Sequence, residues 1–385
     1  MINDTSRTFA RVGVVGAGQL ALMMGESASD LGLSLTVLAN SPEDSATTSI
    51  EDVVLGAAND IEALQRLAER VDVITFDHEL VDLEALEVLE AEGVVLRPES
   101  RALRFAVDKA FQRRVFFENG LPVPRFLVVR SSSDAALAAF LDEIGASCVV
   151  KASRGGYDGR GVAFASTRAE ALSLIDEFAM SGNDVLIEER LDLVGEVAQL
   201  VARASDGETI LYPVVATVQR AGMCAEVRYP SDLDENTLVE AQRLSERVAA
   251  LVGNVGIMAI EYFVTTRGLL INEVALRPHN SGHWTIEGAT TSQFAQHLRA
   301  VSGLPLGDVT PTSPYAVMVN VVGAESPGSR DAARGVDGVF VHDYAKSWRP
   351  GRKLGHVTAL GEEPEGPRVR AWQSAHAYGT QTQEA

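Results

Sequence analysis

Glu261 and Glu273 lie in the segment Ile257-Met-Ala-Ile-Glu-Tyr-Phe-Val-Thr-Thr-Arg-Gly-Leu-Leu-Ile-Asn-Glu273, two apolar runs broken by Thr266-Arg267-Gly268. The pattern predicts a pair of strands joined by a three-residue loop, with Gly268 at its left-handed position. In that register Thr265 pairs with Leu269, Phe263 with Ile271 and Glu261 with Glu273. The two carboxylates then face each other with Cβ atoms roughly 5 Å apart, which destabilises a sheet unless a cation sits between them. Oxygen-only ligation by two carboxylates points to Mg2+. That ion completes its octahedron with water and substrate phosphates, so the pair implies a nucleoside triphosphate site. The alternative is two solvated glutamates on an outer face.

Four further segments carry chemistry. Lys151 closes the apolar run Cys148-Val-Val and is followed by Ala-Ser-Arg-Gly-Gly-Tyr-Asp-Gly-Arg-Gly161. Such a glycine-rich loop can turn its N–H groups toward phosphate oxygens, with Lys151, Arg154 and Arg160 adding charge; a plain surface loop is the competing reading. Val185-Leu-Ile-Glu-Glu-Arg-Leu191 ends in Glu188 and Glu189, with Glu196 beyond, acceptors that suit adenine's amino group and ribose hydroxyls. Acidic strand ends are equally ordinary surface. Directly after Glu273 come Arg277, His279, Asn280 and His283, a polar loop able to hold an anion and a further metal contact. Lys346-Ser-Trp-Arg-Pro-Gly-Arg352-Lys353-Leu-Gly-His356 is the densest basic patch, and fits a small phosphate-bearing molecule better than a polynucleotide.

The elements that must position these residues fall into three regions. Val12 to Leu20, a second strand at Ser34–Leu38, a third at Val71–Phe76 and a helix at Leu83–Glu92 predict an open parallel sheet with flanking helices. Ligands bind such sheets at the carboxyl ends of strands, here around Gly16, Gly18, Gln19 and the Asp77-His78-Glu79 turn. A helix over Arg104–Asn119 follows. Strands at 148–151, 161–164, 185–188, 196–203 and 213–219 and helices at 169–180 and 234–252 then predict an α+β region. Beyond the proline- and glycine-bearing linker 303–314 lies a module of short strands, with a polar, frayed tail from Gly361. The expected domains are 1–108, 109–302 with a lid at about 123–190, and 303–385.

With 33 Lys+Arg against 53 Asp+Glu the formal charge is −20, which disfavours non-specific binding to nucleic acid or anionic membrane. Two cysteines, Cys148 and Cys224, argue against a disulfide framework and for a reducing, cytoplasmic setting. Met1 to Arg11 lacks the apolar core of a signal peptide, and no run approaches a membrane helix. The Gly16-Ala-Gly18 turn invites a dinucleotide-dependent oxidoreductase reading. It is a poor one, because Ala21 takes the third glycine's place and the second strand ends Leu38-Ala-Asn40 with no ribose-binding acid.

Taken together, these segments resemble the ATP-grasp superfamily, and within it the N5-carboxyaminoimidazole ribonucleotide synthetases. The resemblance runs from about Val12 to His356. It rests on Gly155-Gly-Tyr-Asp-Gly-Arg-Gly161, Met258-Ala-Ile-Glu-Tyr-Phe-Val264, Leu269-Leu-Ile-Asn-Glu273, His279-Asn-Ser-Gly-His-Trp284 and Arg349-Pro-Gly-Arg-Lys353. It implies an ATP-grasp fold in three parts and the ATP- and bicarbonate-dependent carboxylation of 5-aminoimidazole ribonucleotide through carboxyphosphate. It also implies a homodimer. Another ATP-grasp ligase or transformylase of purine metabolism is the nearest alternative.

By the same resemblance, ATP falls to Lys109, Lys151, Gly156, Gly159, Glu188, Glu189, Leu191, Glu196, Gln219, Asn272 and Glu273. The two lysines meet phosphates, Glu188 and Leu191 frame adenine, and Glu196 takes the ribose; Glu261 and Glu273 hold Mg2+. Tyr157, Asp158 and Arg160 meet the aminoimidazole and the bicarbonate-derived group, while Arg277, His279, Asn280, Lys346 and Arg352 line the substrate and carboxyphosphate pocket. Gln19, Leu20, Asp77, Glu79 and Lys353 complete the ribonucleotide end. Leu22, Asp77, Lys109 and Gln219 depart from the family's usual arginine, glutamate, arginine and histidine. Lys109 keeps a charge without the guanidinium fork.

Overall fold

The structure is a computed structural model describing residues 8–145, 147–155 and 161–380. Near its N-terminus four parallel strands run in the order Val53–Leu55, Ser34–Ala39, Arg11–Val15, Val73–Phe76. Helices cover the faces, so the strands are continuous apolar runs such as Val12, Val14 and Val15, all fully buried. The first strand turns at Gly16, in the left-handed region at φ +102°, into helix Gln19–Ala28.

A second sheet of four antiparallel strands runs Phe126–Val129, Val185–Glu189, Cys148–Ala152, Val162–Ala165. Helices Leu137–Ile144 and Arg168–Ala179 pack Leu137, Leu141, Ala171 and Ile175 against its Val129, Val150 and Ile187. A third sheet of nine strands starts at Gly268–Ala275, Gly256–Thr265, Leu193–Arg203, Val215–Arg220 and Met223–Tyr229. It continues without a break into Tyr315–Val322, Lys353–Gly361 and Val339–Asp343, with Thr209–Leu211 paired to Leu193–Arg203. The C-terminal strands therefore belong to the same sheet as the strands that carry the glutamates, joined to it where Tyr315–Val322 pairs with Met223–Tyr229.

Buried polar contacts join the first region to the rest. His297 accepts from Ile257 N at its Nδ1 (3.0 Å) and meets Thr75 Oγ1 with its Nε2 (2.7 Å). Both nitrogens are thus used by the neutral ring, and burial pushes its pKa down to about 3. Arg97 donates to the Val301 carbonyl at 2.9 Å, in the last turn of the same helix, Gln293–Ser302.

Two expectations fail here. The single helix over Arg104–Asn119 is two, Ser100–Val107 and Lys109–Glu118, broken where Asp108 adopts extended backbone (φ −122°, ψ 96°). Asp108 Oδ1 accepts from Phe111 N, so the residue acts as an N-cap and sets Lys109 at the first position of a new helix. The frayed tail is largely a helix, Glu365–Tyr378. Its Ala371, Ser374, Ala375 and Tyr378, at helical spacing, are buried against Val317, Val319 and Val357.

Candidate active site

The two glutamates do face each other, by a route other than the expected one. Gly268 has the expected left-handed backbone (φ +100°) but pairs with Thr265, and Ile271 with Tyr262, one residue out of the predicted register. An irregularity between Tyr262 and Glu261 leaves Asn272 as an extra residue and restores the Glu261–Glu273 pairing. A bulge of this kind turns neighbouring side chains to one side of a sheet. Asn272 accordingly donates to Glu261 Oε2 (3.4 Å) and accepts from Lys151 Nζ (3.3 Å), while Glu273 Oε2 takes Lys109 Nζ at 2.7 Å. Glu196 shares this face, since it pairs with Phe263 two residues from Glu261.

The electrostatics follow from that crowding. Burial, then Glu273 and Glu196, push the Glu261 carboxyl above the ordinary range. Lys109 beside Glu273 holds that carboxyl down against burial. Glu196 is also raised by burial, with Lys151 opposing.

Lys151 is itself held by a buried ion triad, at 2.7 Å from Glu188 Oε2 while Arg113 Nη2 lies 2.5 Å from Glu188 Oε1. Glu188 and Arg113 are each 98 % buried. Burial would raise the Glu188 pKa, and the two cations outweigh it and hold it low. Glu188 thus spends its carboxylate on cations in the protein interior. Its neighbour Glu189 is likewise committed, to Arg125 (2.9 and 3.0 Å) and Arg267 (2.8 Å). What remains at this strand end for a nucleotide base is backbone and the half-buried Leu191.

The loop after Glu273 closes the opposite side. Arg277 Nε pairs with Glu79 Oε2 at 2.7 Å, bringing the first sheet's Asp77-His78-Glu79 turn to the site. His279 Nε2 stands 3.7 Å from Glu261 Oε1. Gln293, fully buried, clamps the His279 backbone: its Oε1 accepts from His279 N and its Nε2 donates to His279 O, both at 2.8 Å. Asn280 and the buried Asn320 exchange amide bonds of 2.9 and 2.7 Å. Lys346 Nζ donates to Gln19 Oε1 at 2.6 Å, joining the C-terminal basic patch to the first helix. Lys353 draws Glu261 down and lowers the Cys224 thiol against burial, which with Glu261 and Glu196 pushes that thiol up to about 12.

Other expected residues lie at the margin. Arg352 donates to Ser347 O and Oγ (3.2 and 2.8 Å), and half-buried Gln219 pairs with Cys224 beyond a strand irregularity. Asp77 receives Gly18 N (2.5 Å) and Ala21 N (3.2 Å), so a carboxylate already occupies the start of helix Gln19–Ala28, with buried Leu20 behind. A dinucleotide pyrophosphate would meet that negative charge, which removes the oxidoreductase reading. Gly156, Tyr157, Asp158, Gly159 and Arg160 lie outside the described residues. Sequence reasoning passed over Arg113, Gln293 and Asn320. None sits in a motif, and only the tertiary contacts mark them.

Comparison with known proteins bears on this geometry. Residues 9–107 match the ribonucleotide synthetase preATP-grasp domain, 114–294 the ATP-grasp domain, and 316–368 the phosphoribosylaminoimidazole carboxylase C-terminal domain. The N5-carboxyaminoimidazole ribonucleotide synthase of Mycobacterium tuberculosis is 45 % identical over 374 residues, covering 95 % of this chain and 87 % of that one. The chain belongs to the N5-carboxyaminoimidazole ribonucleotide synthase family. The crystal structure of the family's Thermus thermophilus enzyme matches with a TM-score of 0.88 at 34 % identity, covering 97 % of this chain and all of the other. That of the Aspergillus clavatus family member, in complex with ADP and 5-aminoimidazole ribonucleotide, matches at 0.86 and 28 %, covering 97 % and 99 %. The three-part ATP-grasp fold expected from the sequence is the one observed. No helix among the described residues is long and apolar enough to cross a membrane.

Proposed function

We propose that the protein carboxylates 5-aminoimidazole ribonucleotide with ATP and bicarbonate, releasing N5-carboxyaminoimidazole ribonucleotide, ADP and phosphate in purine biosynthesis. The observation that carries this reading is the convergence of Glu261, Glu273, Asn272, Lys109 and Lys151 on one face of the sheet. Among the described residues no cluster of three or more His, Cys, Asp or Glu side chains could hold a metal. Two facing carboxylates and an amide suit Mg2+, which takes its remaining ligands from water and nucleotide phosphates. When bound, Mg2+ would neutralise charge on the moving phosphoryl group.

The chain's own residues do the rest. A bicarbonate oxygen attacks the γ-phosphorus and its bond to ADP breaks, giving carboxyphosphate. Lys109 and Lys151 offset the negative charge brought together in that step. The exocyclic amine of the ribonucleotide then attacks the carboxyl carbon, the bond to phosphate breaks, and the nitrogen loses a proton. We assign Arg277, His279, Asn280 and Lys346 to a cationic and amide wall beside that carbon, with Arg352 at its margin, and Tyr157, Asp158 and Arg160 to contacts with the aminoimidazole and the bicarbonate-derived group. Gln19, Leu20, Asp77, Glu79 and Lys353 frame the ribonucleotide. The nucleoside is assigned to Glu196, Leu191 and the Glu188-Glu189 strand end, with Gln219 at its margin, and the phosphates to Gly156 and Gly159. The reading carries with it a cytoplasmic homodimer, which sedimentation of the purified protein tests.

The decisive assay is ADP release with each component withheld in turn. Release that requires both bicarbonate and 5-aminoimidazole ribonucleotide is the expected result. Release that requires formate or glycine instead would move the activity to another purine ligase.

A further inference from the structure

Arg113 has no place among the residues expected to touch ligand, and it is too deeply buried to do so, with 2 % of its side chain exposed. Burying a guanidinium is costly unless its donors are answered. Three partners answer its two terminal nitrogens, while its buried Nε has no hydrogen-bond partner among the described residues. Nη1 donates to the Ile271 carbonyl at 2.7 Å, Nη2 donates to the Asn272 carbonyl at 2.8 Å, and Nη2 also pairs with Glu188. Ile271 and Asn272 are the residues at which the ladder slips by one and the bulge forms. The third partner leads to Lys151, whose ammonium shares Glu188 and reaches the Asn272 side chain.

We propose that Arg113 is the positioning residue of the metal site: it pins the Asn272 bulge that sets Glu273 opposite Glu261 and, through Glu188, places Lys151 beside them. This rests on the reading of Glu261 and Glu273 as Mg2+ ligands. A regular ladder continued from Tyr262–Ile271 would pair Glu261 with Asn272 and carry Glu273 out of register, so the slip is held by tertiary contacts: the Arg113 fork on two carbonyls, and Ile271 N donating to the Pro122 carbonyl at 2.8 Å. Two carbonyls held by one rigid planar fork fix the slipped geometry. A lysine keeps the charge and the Glu188 partner but has no fork to bridge both carbonyls.

The test is ADP binding by calorimetry across a Mg2+ series, from chelator alone to saturation, on the wild type and on Arg113→Lys. The wild type binds ADP more tightly as Mg2+ rises. For Arg113→Lys the Mg2+ concentration giving half the effect rises about tenfold or more, the scale on which outer-sphere partners act on metal affinity. ADP binding in chelator stays within about twofold, a split that general loosening of the fold would not produce. Should Arg113→Lys fail to fold, Arg113→Gln, which leaves Glu188 and Lys151 as a neutral pair, is judged by the same split. A responsive wild type with an equally responsive variant overturns the inference alone. A wild type indifferent to Mg2+ overturns the metal reading and this inference with it.

Discussion

Replacing Gln293 with methionine keeps nearly the same shape and removes every polar contact the side chain makes. Its Oε1 accepts from His279 N, and its Nε2 donates to His279 O and meets His283 Nδ1 at 2.9 Å. Gln293 and His283 are essentially inaccessible to solvent, so three protein groups lose their partner where water cannot replace it. At about 1–1.5 kcal/mol each, the loss is about 3–5 kcal/mol, a large part of a normal stability margin but short of unfolding. Spread over the unfolding entropy of 385 residues, that lowers the thermal midpoint by about 4–6 °C. The functional effect should be confined to the loop. His279 and Asn280 lose their fixed backbone, so kcat falls, while the lysines belong to other elements and ADP affinity holds. Calorimetric melting and steady-state ADP release on Gln293→Met read both quantities. A midpoint within 1 °C of wild type, with kcat unchanged, would refute the claim that this amide organises the His279 loop.

Three further outcomes follow from the same geometry. Glu261→Gln removes one of two facing carboxylates: turnover drops by more than about a hundredfold while the thermal midpoint without metal stays level or rises, and a variant with near wild-type turnover would contradict the metal assignment. His297 is held neutral in the folded state with its pKa pushed down to about 3, below the unfolded value near 6.5, so its contribution is complete above pH 6.5 and is lost as pH falls toward 3. Wild type should lose about 1.4 kcal/mol per pH unit in that window from this ring, and His297→Gln should show a shallower acid decline in melting; equal slopes would count against it. Ending the chain at Glu363 removes helix Glu365–Tyr378 and bares the Val317, Val319 and Val357 face, so the truncated chain should aggregate, whereas a soluble product melting like wild type would show the helix to be dispensable.

How much of this was written in local sequence depends on the range of the forces involved. The facing glutamates were legible because residue types and strand alternation are local. The path between them was not, because the bulge at Asn272 is held by Arg113 from another helix, 158 positions away at its Ile271 contact. Lys109 was legible as a cation, but its placement depends on a helix break at Asp108 that an apolar pattern reads straight through. Glu188 and Glu189 looked like free acceptors because sequence shows a carboxylate and not its partner. The tail looked frayed because its small buried residues, Ala371, Ser374 and Ala375, carry little hydropathy while filling a tight contact.

The partners explain how an acidic chain can keep a site for anions. Three of its cations, Lys109, Lys151 and Arg277, are held in place by Glu273, Glu188 and Glu79. Such pairing fixes long side chains before any ligand arrives, which lowers the ordering cost of binding. The pairs differ in what can reach them. Glu188 is 2 % exposed and stays with Lys151, whereas the Glu273 side chain is 40 % exposed and is also the inferred metal ligand. Were Mg2+ held by Glu261 and Glu273 as proposed, Glu273 would be the carboxylate able to release the Lys109 ammonium to a phosphate oxygen, because its side chain stays accessible. Charge is exchanged with little carboxylate or ammonium left bare at any stage, which is what a buried phosphoryl-transfer site in a chain of net charge −20 requires.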